Sequence, residues 1–320
     1  MLFAYFLQIS NHMWISPDYD RKPWSNQDVW NENNNIDIDV FDELVDFMAA
    51  RFVNGLVIDV GDGVKLDSHP EIAAPDAWSK EFLKKKLDAL RAKGIEPLPK
   101  LNFSCGHNMW MKDWQFRVGS PEYDQFCKDC IREVSELFGK PRFFHLGLDE
   151  ESPVQKHKAI AVYRHPVEFW RFANEMFRTV EECGSRPWVF SDYYWHHPDV
   201  FEKNMPRSVV QSNWHYGQMN PTPRDSSSYT AVITYNKLEE LGYDQIPVPS
   251  HFCNALNANQ VLDYCKEVIS PEHLLGFNDI PWHNTTRREK YTHMADIDRF
   301  YLARVKHFPE TLPADHKIIW

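Results

Sequence analysis

The chain has 320 residues, of which 46 are acidic and 35 basic, giving a net charge of -11. Its length is enough for one large domain with a substantial core. The negative charge excludes a surface that attracts nucleic-acid phosphates, and no run of basic residues suits an anionic membrane. We therefore expect neither a nucleic-acid partner nor membrane association.

The first apolar run, Leu2 to Leu7, gives the expectation for location. It is far shorter than the ~20 residues of a membrane-spanning helix. It also lacks the charged start and the cleavage site of a signal peptide. The sequence therefore predicts a cytoplasmic protein, or an exported one whose signal peptide is absent here, and it leaves the oligomeric state open.

The six cysteines are scattered along the chain, unlike a dense disulfide framework. Cys127 and Cys130 form a C-x-x-C inside a helical pattern, and the sequence has no second such pair to complete a zinc site. We expect buried free thiols, no structural metal and no cofactor.

Short apolar runs alternate with longer helical patterns, which predicts parallel strands joined by crossover helices. The strand candidates are Leu2–Gln8, Gly55–Val60, Ile95–Leu101, Arg142–Leu148, Trp188–Asp192, Val209–Trp214, Ile246–Ser250 and Leu274–Asn278. The helix candidates are Asp39–Arg51, Trp78–Ala92, Pro121–Phe138, Pro166–Cys183, Asp199–Asn204, Tyr229–Leu241, Asn257–Val268 and Arg287–Val305.

Eight such runs with intervening helices predict an α/β fold, a single (β/α)8 TIM barrel that occupies residues 1–320. Long polar segments follow the first, third and sixth strands, at residues 10–35, 104–120 and 217–228. We expect them to be extended loops on the catalytic face of one domain.

The carboxyl ends of barrel strands converge on one pocket, and the residues there carry the functional prediction. Carboxylates, imidazoles and aromatic rings dominate these positions, a mixture that suits a neutral polyhydroxylated ligand with apolar faces. We expect a carbohydrate substrate and site residues His107, His145, Asp149, Glu150, Asp192, Trp214, Tyr216, Asp279 and Trp282.

The adjacent carboxylates Asp149 and Glu150 directly follow the fourth predicted strand. Neighbouring residues at a strand end point in different directions, so the pair can serve one substrate from two angles. Cleavage of a glycosidic bond needs a proton donor and stabilisation of an oxocarbenium-like centre. A like charge beside a carboxyl raises its pKa, which favours a proton donor.

Many retaining glycosidases with this barrel take a second carboxylate, the nucleophile, from strand seven, about 5–5.5 Å from the acid. Here the end of that strand, Val248 to Asn254, has no carboxylate. This favours substrate assistance, in which a 2-acetamido oxygen of the sugar attacks the anomeric carbon. One carboxylate then orients the acetamide, and the other is the acid/base.

The run from Phe144 to Glu150, FHLGLDE, resembles the H-x-G-G-D-E motif of glycoside hydrolase family 20, the β-N-acetylhexosaminidases. The resemblance implies that Asp149 orients the acetamide and that Glu150 is the acid/base. His107 resembles the histidine of the family's P-G-H motif, which supports the acid, and Trp282 resembles a wall of the acetamide pocket. Trp214 and Tyr216 are candidates for another wall, and Tyr216 also for a donor to the acetamide. Leu148 stands where the family has a second glycine.

Two alternatives stay open. Histidines at the strand ends suit a metal-dependent hydrolase or isomerase: His12, His107, His145, His215, His251 and His283. The second alternative is a carbohydrate-binding barrel without turnover. Metal analysis with a chelator tests the first, and an activity screen tests the second.

Overall fold

The computed structural model describes residues 1–10, 30–34, 36–151, 162–219 and 227–318. Most of the loop predicted after the first strand, residues 11–29 and 35, lies outside these residues, as do His12 and part of the loop after the sixth strand. The loop after the third strand is described and contains a 3-10 segment, Met109–Arg117. No helix in the described ranges is both long and apolar enough to cross a lipid bilayer.

Parallel strands in the described residues form one sheet in the order β6-β5-β4-β3-β2-β1-β7. The strands are β1 Leu2–Gln8, β2 Gly55–Asp59, β3 Glu96–Lys100, β4 Phe143–His145, β5 Arg186–Phe190, β6 Val210–Ser212 and β7 Gly276–Asp279. The helices are α1 Ile38–Ala50, α2 Lys80–Ala92, α3 Pro121–Leu137, α4 Pro166–Glu182, α5 Tyr193–His196, α6 Pro198–Asn204, α7 Ser227–Glu240, α8 Asn257–Val268 and α9 Lys290–His307.

Residues 244–250 close the sheet between β6 and β7. The Ile246 and Val248 amides donate to carbonyls of residues 211 and 213, at 2.9 and 3.0 Å. On the other side, the carbonyls of Pro247 and Pro249 accept from residues 278 and 280, both at 3.1 Å. The (β/α)8 barrel prediction is thereby confirmed.

The predicted strand Ile246–Ser250 is corrected in one respect, because it forms isolated parallel bridges and not a continuous ladder. The reason is chemical: Pro247 and Pro249 have no N–H to donate toward β7. The segment still contributes Ile246 and Val248 to the barrel interior.

The helices follow from their apolar spacing and their end signals. In α3, Ser120 accepts a hydrogen bond from the Tyr123 amide, Pro121 occupies the first turn, and Gly139 follows with a φ of 74°. The helix face toward the sheet includes Phe126 and Ile131. Cys127 and Cys130 are free and buried in this face, as predicted.

Candidate active site at the end of the fourth strand

A tight turn after β4 presents the two adjacent carboxylates. Gly147, Leu148 and Glu150 all have left-handed backbone conformations, with φ of 68°, 63° and 56°. A Cβ on Gly147 would lie 2.1 Å from Oδ1 of Asn102, so this position admits only glycine. Leu148, which replaces the second glycine of the family motif, nevertheless adopts the conformation that glycine favours.

Neighbouring loops hold this turn through several hydrogen bonds. The Ser104 hydroxyl donates to the Asp149 carbonyl at 2.5 Å, and the Gly147 amide donates to Nδ1 of His145 at 3.0 Å. The amide of Cys105 donates to Oε1 of Glu151 at 2.9 Å. The backbone strain at the turn is therefore balanced by fixed contacts on several sides.

His107 joins the two carboxylates. Its Nε2 lies 3.1 Å from Oδ2 of Asp149 and 3.1 Å from Oε2 of Glu150. Burial opposes protonation of His107, but the two carboxylates outweigh it and raise its pKa to about 9. The imidazole therefore carries its proton at neutral pH and shares it between Asp149 and Glu150.

Asp149 is held as an anion. It is 5% exposed, and its Oδ1 accepts a hydrogen bond from Nδ2 of Asn102 at 2.9 Å. Burial works against ionisation, but His107, with smaller contributions from Lys100 and Asn102, holds the Asp149 pKa below its usual range. Glu150 is more accessible, with 19% of its side chain exposed, so its carboxyl can reach a ligand.

Asp192, which follows β5, completes the polar part of the site. Its Oδ2 accepts the Glu150 amide at 2.7 Å, and its Oδ1 accepts Nε1 of Trp214 at 3.3 Å. Burial, followed by the charge of Asp149, raises the pKa of Asp192 to about 8. The sequence predicted a raised pKa from the adjacency of Asp149 and Glu150, and the structure identifies Asp192 as a carboxyl with this property.

A row of aromatic rings stands beside the carboxylates. Trp214 stacks on Tyr216 with ring centres 5.1 Å apart, and Trp195 lies 4.5 Å from Trp214. Trp282 continues the row, 6.5 Å from Tyr216. Burial and the nearby charges of Asp149, Glu150 and Asp192 raise the pKa of Tyr216 well above its usual value, so its hydroxyl is a neutral donor.

Seven of the predicted site residues therefore meet at one place: His107, Asp149, Glu150, Asp192, Trp214, Tyr216 and Trp282. His145 supports the turn from within the barrel, 4.6 Å from the Trp188 ring centre and 4.5 Å from that of Phe190. Burial and the Lys100 charge lower its pKa well below the usual value, so it is neutral.

Asp279 lies apart from this group. Its neighbour across the sheet, Tyr5, contacts His293 of α9 at 3.0 Å, so this face of the strands looks outward to the helices. Asp279 is fully buried there, with its Oδ2 3.8 Å from Nδ1 of His251. Alternation along β7 explains the position, since adjacent side chains face opposite sides of the sheet.

The sequence prediction left two supporting residues out of the site. Asn102 fixes Asp149, and Arg164 forms a buried ion pair with Glu151. The position of Asn102 just after the third apolar run was an available signal. Arg164 follows a segment outside the described residues, and no local pattern indicated its partner.

His107, Asp149 and Glu150 are also the one group of three potential metal ligands among the described residues, with their ligand atoms within 4.8 Å of one another. The other histidines of the metal hypothesis that the structure describes are not part of this group: His145, His215, His251 and His283.

No protein-family model matches the sequence. No curated protein sequence matches it. Solved structures do match. N-acetyl-β-hexosaminidase of Streptomyces plicatus, in complex with Thio-NAglucal, is 12% identical with a TM-score of 0.62, over 93% of this chain and 62% of that one. GH20 exo β-N-acetylglucosaminidase of Vibrio harveyi, in complex with N-acetylglucosamine, is 13% identical with a TM-score of 0.61, over 97% and 57%.

A β-N-acetylhexosaminidase of Bacteroides fragilis is 15% identical with a TM-score of 0.59, over 96% of this chain and 70% of that one. The chain spans less than two thirds of the length of the Streptomyces and Vibrio enzymes. At these identities the likeness is one of fold. The chain therefore has the (β/α)8 fold of the GH20 β-N-acetylhexosaminidases.

Proposed function

We propose that the chain is a retaining glycoside hydrolase that acts on N-acetylhexosamine-containing glycans by substrate assistance. The observation that supports this most directly is the imidazole of His107, which lies 3.1 Å from both of two adjacent carboxylates. The arrangement holds Asp149 as an anion and leaves Glu150 accessible. One carboxylate is thus suited to orient a neutral amide and the other to exchange a proton.

In the proposed reaction, Glu150 donates its proton to the glycosidic oxygen as the bond to the anomeric carbon breaks. The acetamide oxygen attacks that carbon and forms a cyclic oxazolinium, while the Asp149 carboxylate accepts the acetamide N–H and stabilises the positive charge. Glu150 then removes a proton from water, which attacks the same carbon and opens the ring. Two inversions give net retention.

The aromatic row supplies the remaining contacts in this proposal. The Tyr216 hydroxyl is neutral and lies near the carboxylates, so it is suited to donate to the acetamide oxygen. Trp214 and Trp282 flank it and offer faces to the apolar side of a sugar. The acetamide would then be held between a donor, Tyr216, and an acceptor, Asp149.

The position of Asp192 supports substrate assistance over a protein nucleophile. It is a further carboxyl beside Glu150, but it is 4% exposed and both of its oxygens accept N–H groups of the protein. The described residues from Ser250 to Asn254, at the end of the closing segment and just after it, offer no carboxylate.

Substitution of Glu150 by Gln tests the proposal. We expect Glu150→Gln to reduce kcat on aryl N-acetyl-β-hexosaminides by about 10²–10⁴-fold, the typical contribution of general acid–base catalysis. Asp149→Asn should lose activity chiefly on substrates with the acetamide. The assay compares GlcNAc, GalNAc and non-acetylated aryl glycosides, with circular dichroism to check folding. Full activity of Glu150→Gln would refute the assignment.

A stable thiazoline that mimics the cyclised intermediate gives an independent test. It should inhibit the wild type strongly and bind Asp149→Asn more weakly, since Asp149 would contact its ring nitrogen. Binding is measured by calorimetry and needs no turnover. Tight glycan binding without turnover of any glycoside would instead favour the non-catalytic barrel.

A metal-dependent reaction is the second candidate, because His107, Asp149 and Glu150 bring one imidazole and two carboxylates together as potential metal ligands. Dialysis against a chelator distinguishes the two candidates. Under substrate assistance, activity is unchanged by the chelator and by later addition of zinc or manganese. Loss of activity that the metal restores would support the second candidate.

A further inference from the structure

Glu150 is held in a backbone conformation that a glutamate does not favour. Its φ of 56° lies in the left-handed region, which is unfavourable for residues other than glycine. Such a residue keeps one conformation only when its surroundings fix it. The position of its carboxyl therefore depends on whatever holds its main chain.

Asp192 is the side chain that holds the Glu150 amide. The Glu150 N–H donates to Oδ2 of Asp192 at 2.7 Å, across a sequence separation of 42 residues. Asp192 follows β5, whereas Glu150 follows β4. This bond therefore connects the turn that carries the proposed acid to the end of the next strand of the barrel. At 4% exposure, the Asp192 carboxyl is directed to the protein and not to solvent.

The same carboxyl holds one ring of the aromatic row. Its Oδ1 accepts the indole N–H of Trp214 at 3.3 Å, and Trp214 stacks on Tyr216. Asp192 therefore connects the main chain of the proposed acid to the proposed sugar-binding wall. Each of its oxygens accepts a protein N–H, so both oxygens are fixed by the fold.

We propose that Asp192 is a positioning residue: its carboxyl fixes the Glu150 main chain and sets the distance between the acid and the aromatic row. This role rests on the proposed glycosidase function. It differs from the sequence prediction, which placed Asp192 among the substrate contacts. A carboxyl suits this role better than an amide, since a carboxyl offers acceptors to both N–H groups, whereas an asparagine presents one NH₂ group to a donor.

The test uses Asp192→Asn and two substrates that need the acid to different degrees. On an alkyl N-acetylhexosaminide, whose leaving group must be protonated, we expect kcat/KM to fall about 10- to 100-fold, as when a buried N–H loses its acceptor. On a dinitrophenyl N-acetylhexosaminide, whose leaving group departs without a proton, kcat/KM should change less than about threefold, because it reports the first step, which then needs no acid.

Asp199→Asn is the matched control, because Asp199 is an exposed aspartate on the neighbouring helix α6. It should behave as the wild type on both substrates. An equal fall of kcat/KM on the two substrates for Asp192→Asn would overturn the positioning role.

If Asp192→Asn does not fold, Trp214→Phe tests the same connection from its other end. It keeps an aromatic ring and removes the N–H that Asp192 accepts. Its kcat/KM should fall more on the alkyl than on the dinitrophenyl substrate; absence of that difference would overturn the proposal. A wild type inactive on both substrates would refute the proposed function itself, whereas an active wild type with Asp192→Asn unaffected would refute only the positioning role.

Discussion

Leu148 shows how a single residue can depart from a family motif and keep its geometry. The motif that this run resembles has glycine at this position, and Leu148 has a φ of 63°, in the left-handed region that glycine enters without strain. Its side chain is 3% exposed, so burial of the apolar surface offsets part of the backbone cost. The left-handed backbone at this leucine could not be predicted from its residue identity.

Gly147 is the least replaceable residue of the turn. Gly147→Ala would place a Cβ against Asn102 in addition to the positive φ, so we expect a loss of about 2–4 kcal/mol in unfolding free energy, measured with denaturant. Gly94→Ala is the control, since Gly94 has a φ of 74° and no atom within 4 Å of the added Cβ. It should cost about 1 kcal/mol, and equal losses for the two variants would contradict the steric argument.

His107 makes stability depend on pH in a defined direction. Its pKa rises from 6.5 to about 9 on folding, so its contribution is fully present below pH 6.5 and is lost as the pH rises through 9. The pKa of Asp192 is raised from 3.8 to about 8, so its contribution to stability also decreases as the pH rises, over the lower range from pH 3.8 to about 8. We expect Tm to fall between pH 6.5 and 9, and to fall less in His107→Gln. Parallel curves for the two proteins would contradict this reading.

At the scale of elements, Arg164 joins the loops that carry the site. This residue, just before α4, pairs with Glu151, donates to the Phe103 carbonyl at 3.1 Å and donates to the Tyr123 hydroxyl at 3.1 Å. The ends of β3 and β4 and helix α3 thus meet at one buried guanidinium.

Removal of the Arg164 guanidinium leaves the buried Glu151 carboxylate without a neighbouring cation. We expect Arg164→Met to lower the unfolding free energy by about 3–5 kcal/mol. The exposed pair between Arg142 and Glu96, at 2.7 Å, is the control, and Arg142→Met should cost less than about 1 kcal/mol. Adding Glu151→Gln to Arg164→Met should restore part of the loss; no recovery would show that the pair is not the cause.

The strands and helices were largely predictable because buried parallel strands are continuous apolar runs and helices have a 3.6-residue period with clear end signals. The segment 244–250 was less predictable, since its apolar residues indicate a strand and its two prolines remove the ladder. Asp279 shows a further limit. Its position at a strand end was correct, but the face it occupies depends on register, which one sequence does not determine.

At the scale of the whole molecule, the net charge of -11 repels anionic ligands, so under the proposed function it would slow the approach of anionic glycans. Neutral glycosides should react with a kcat/KM that is independent of ionic strength. Glycans with a sulfate or carboxylate next to the cleaved sugar should react more slowly at ~0.01 M salt than at ~0.1 M, where the Debye length falls from ~30 to ~10 Å. The opposite salt dependence would indicate a positively charged path to the site.

The two prolines of the closing segment have a consequence for motion. The carbonyls of Pro247 and Pro249 accept hydrogen bonds from Asn278 and Ile280, but these two prolines have no N–H to donate in return. Amide deuterium exchange should therefore begin earlier at Asn278 and Ile280 than in β1, which is paired by continuous ladders on both sides. Trp282 follows β7 in the chain. Local opening of the barrel would therefore occur preferentially beside one end of the aromatic row.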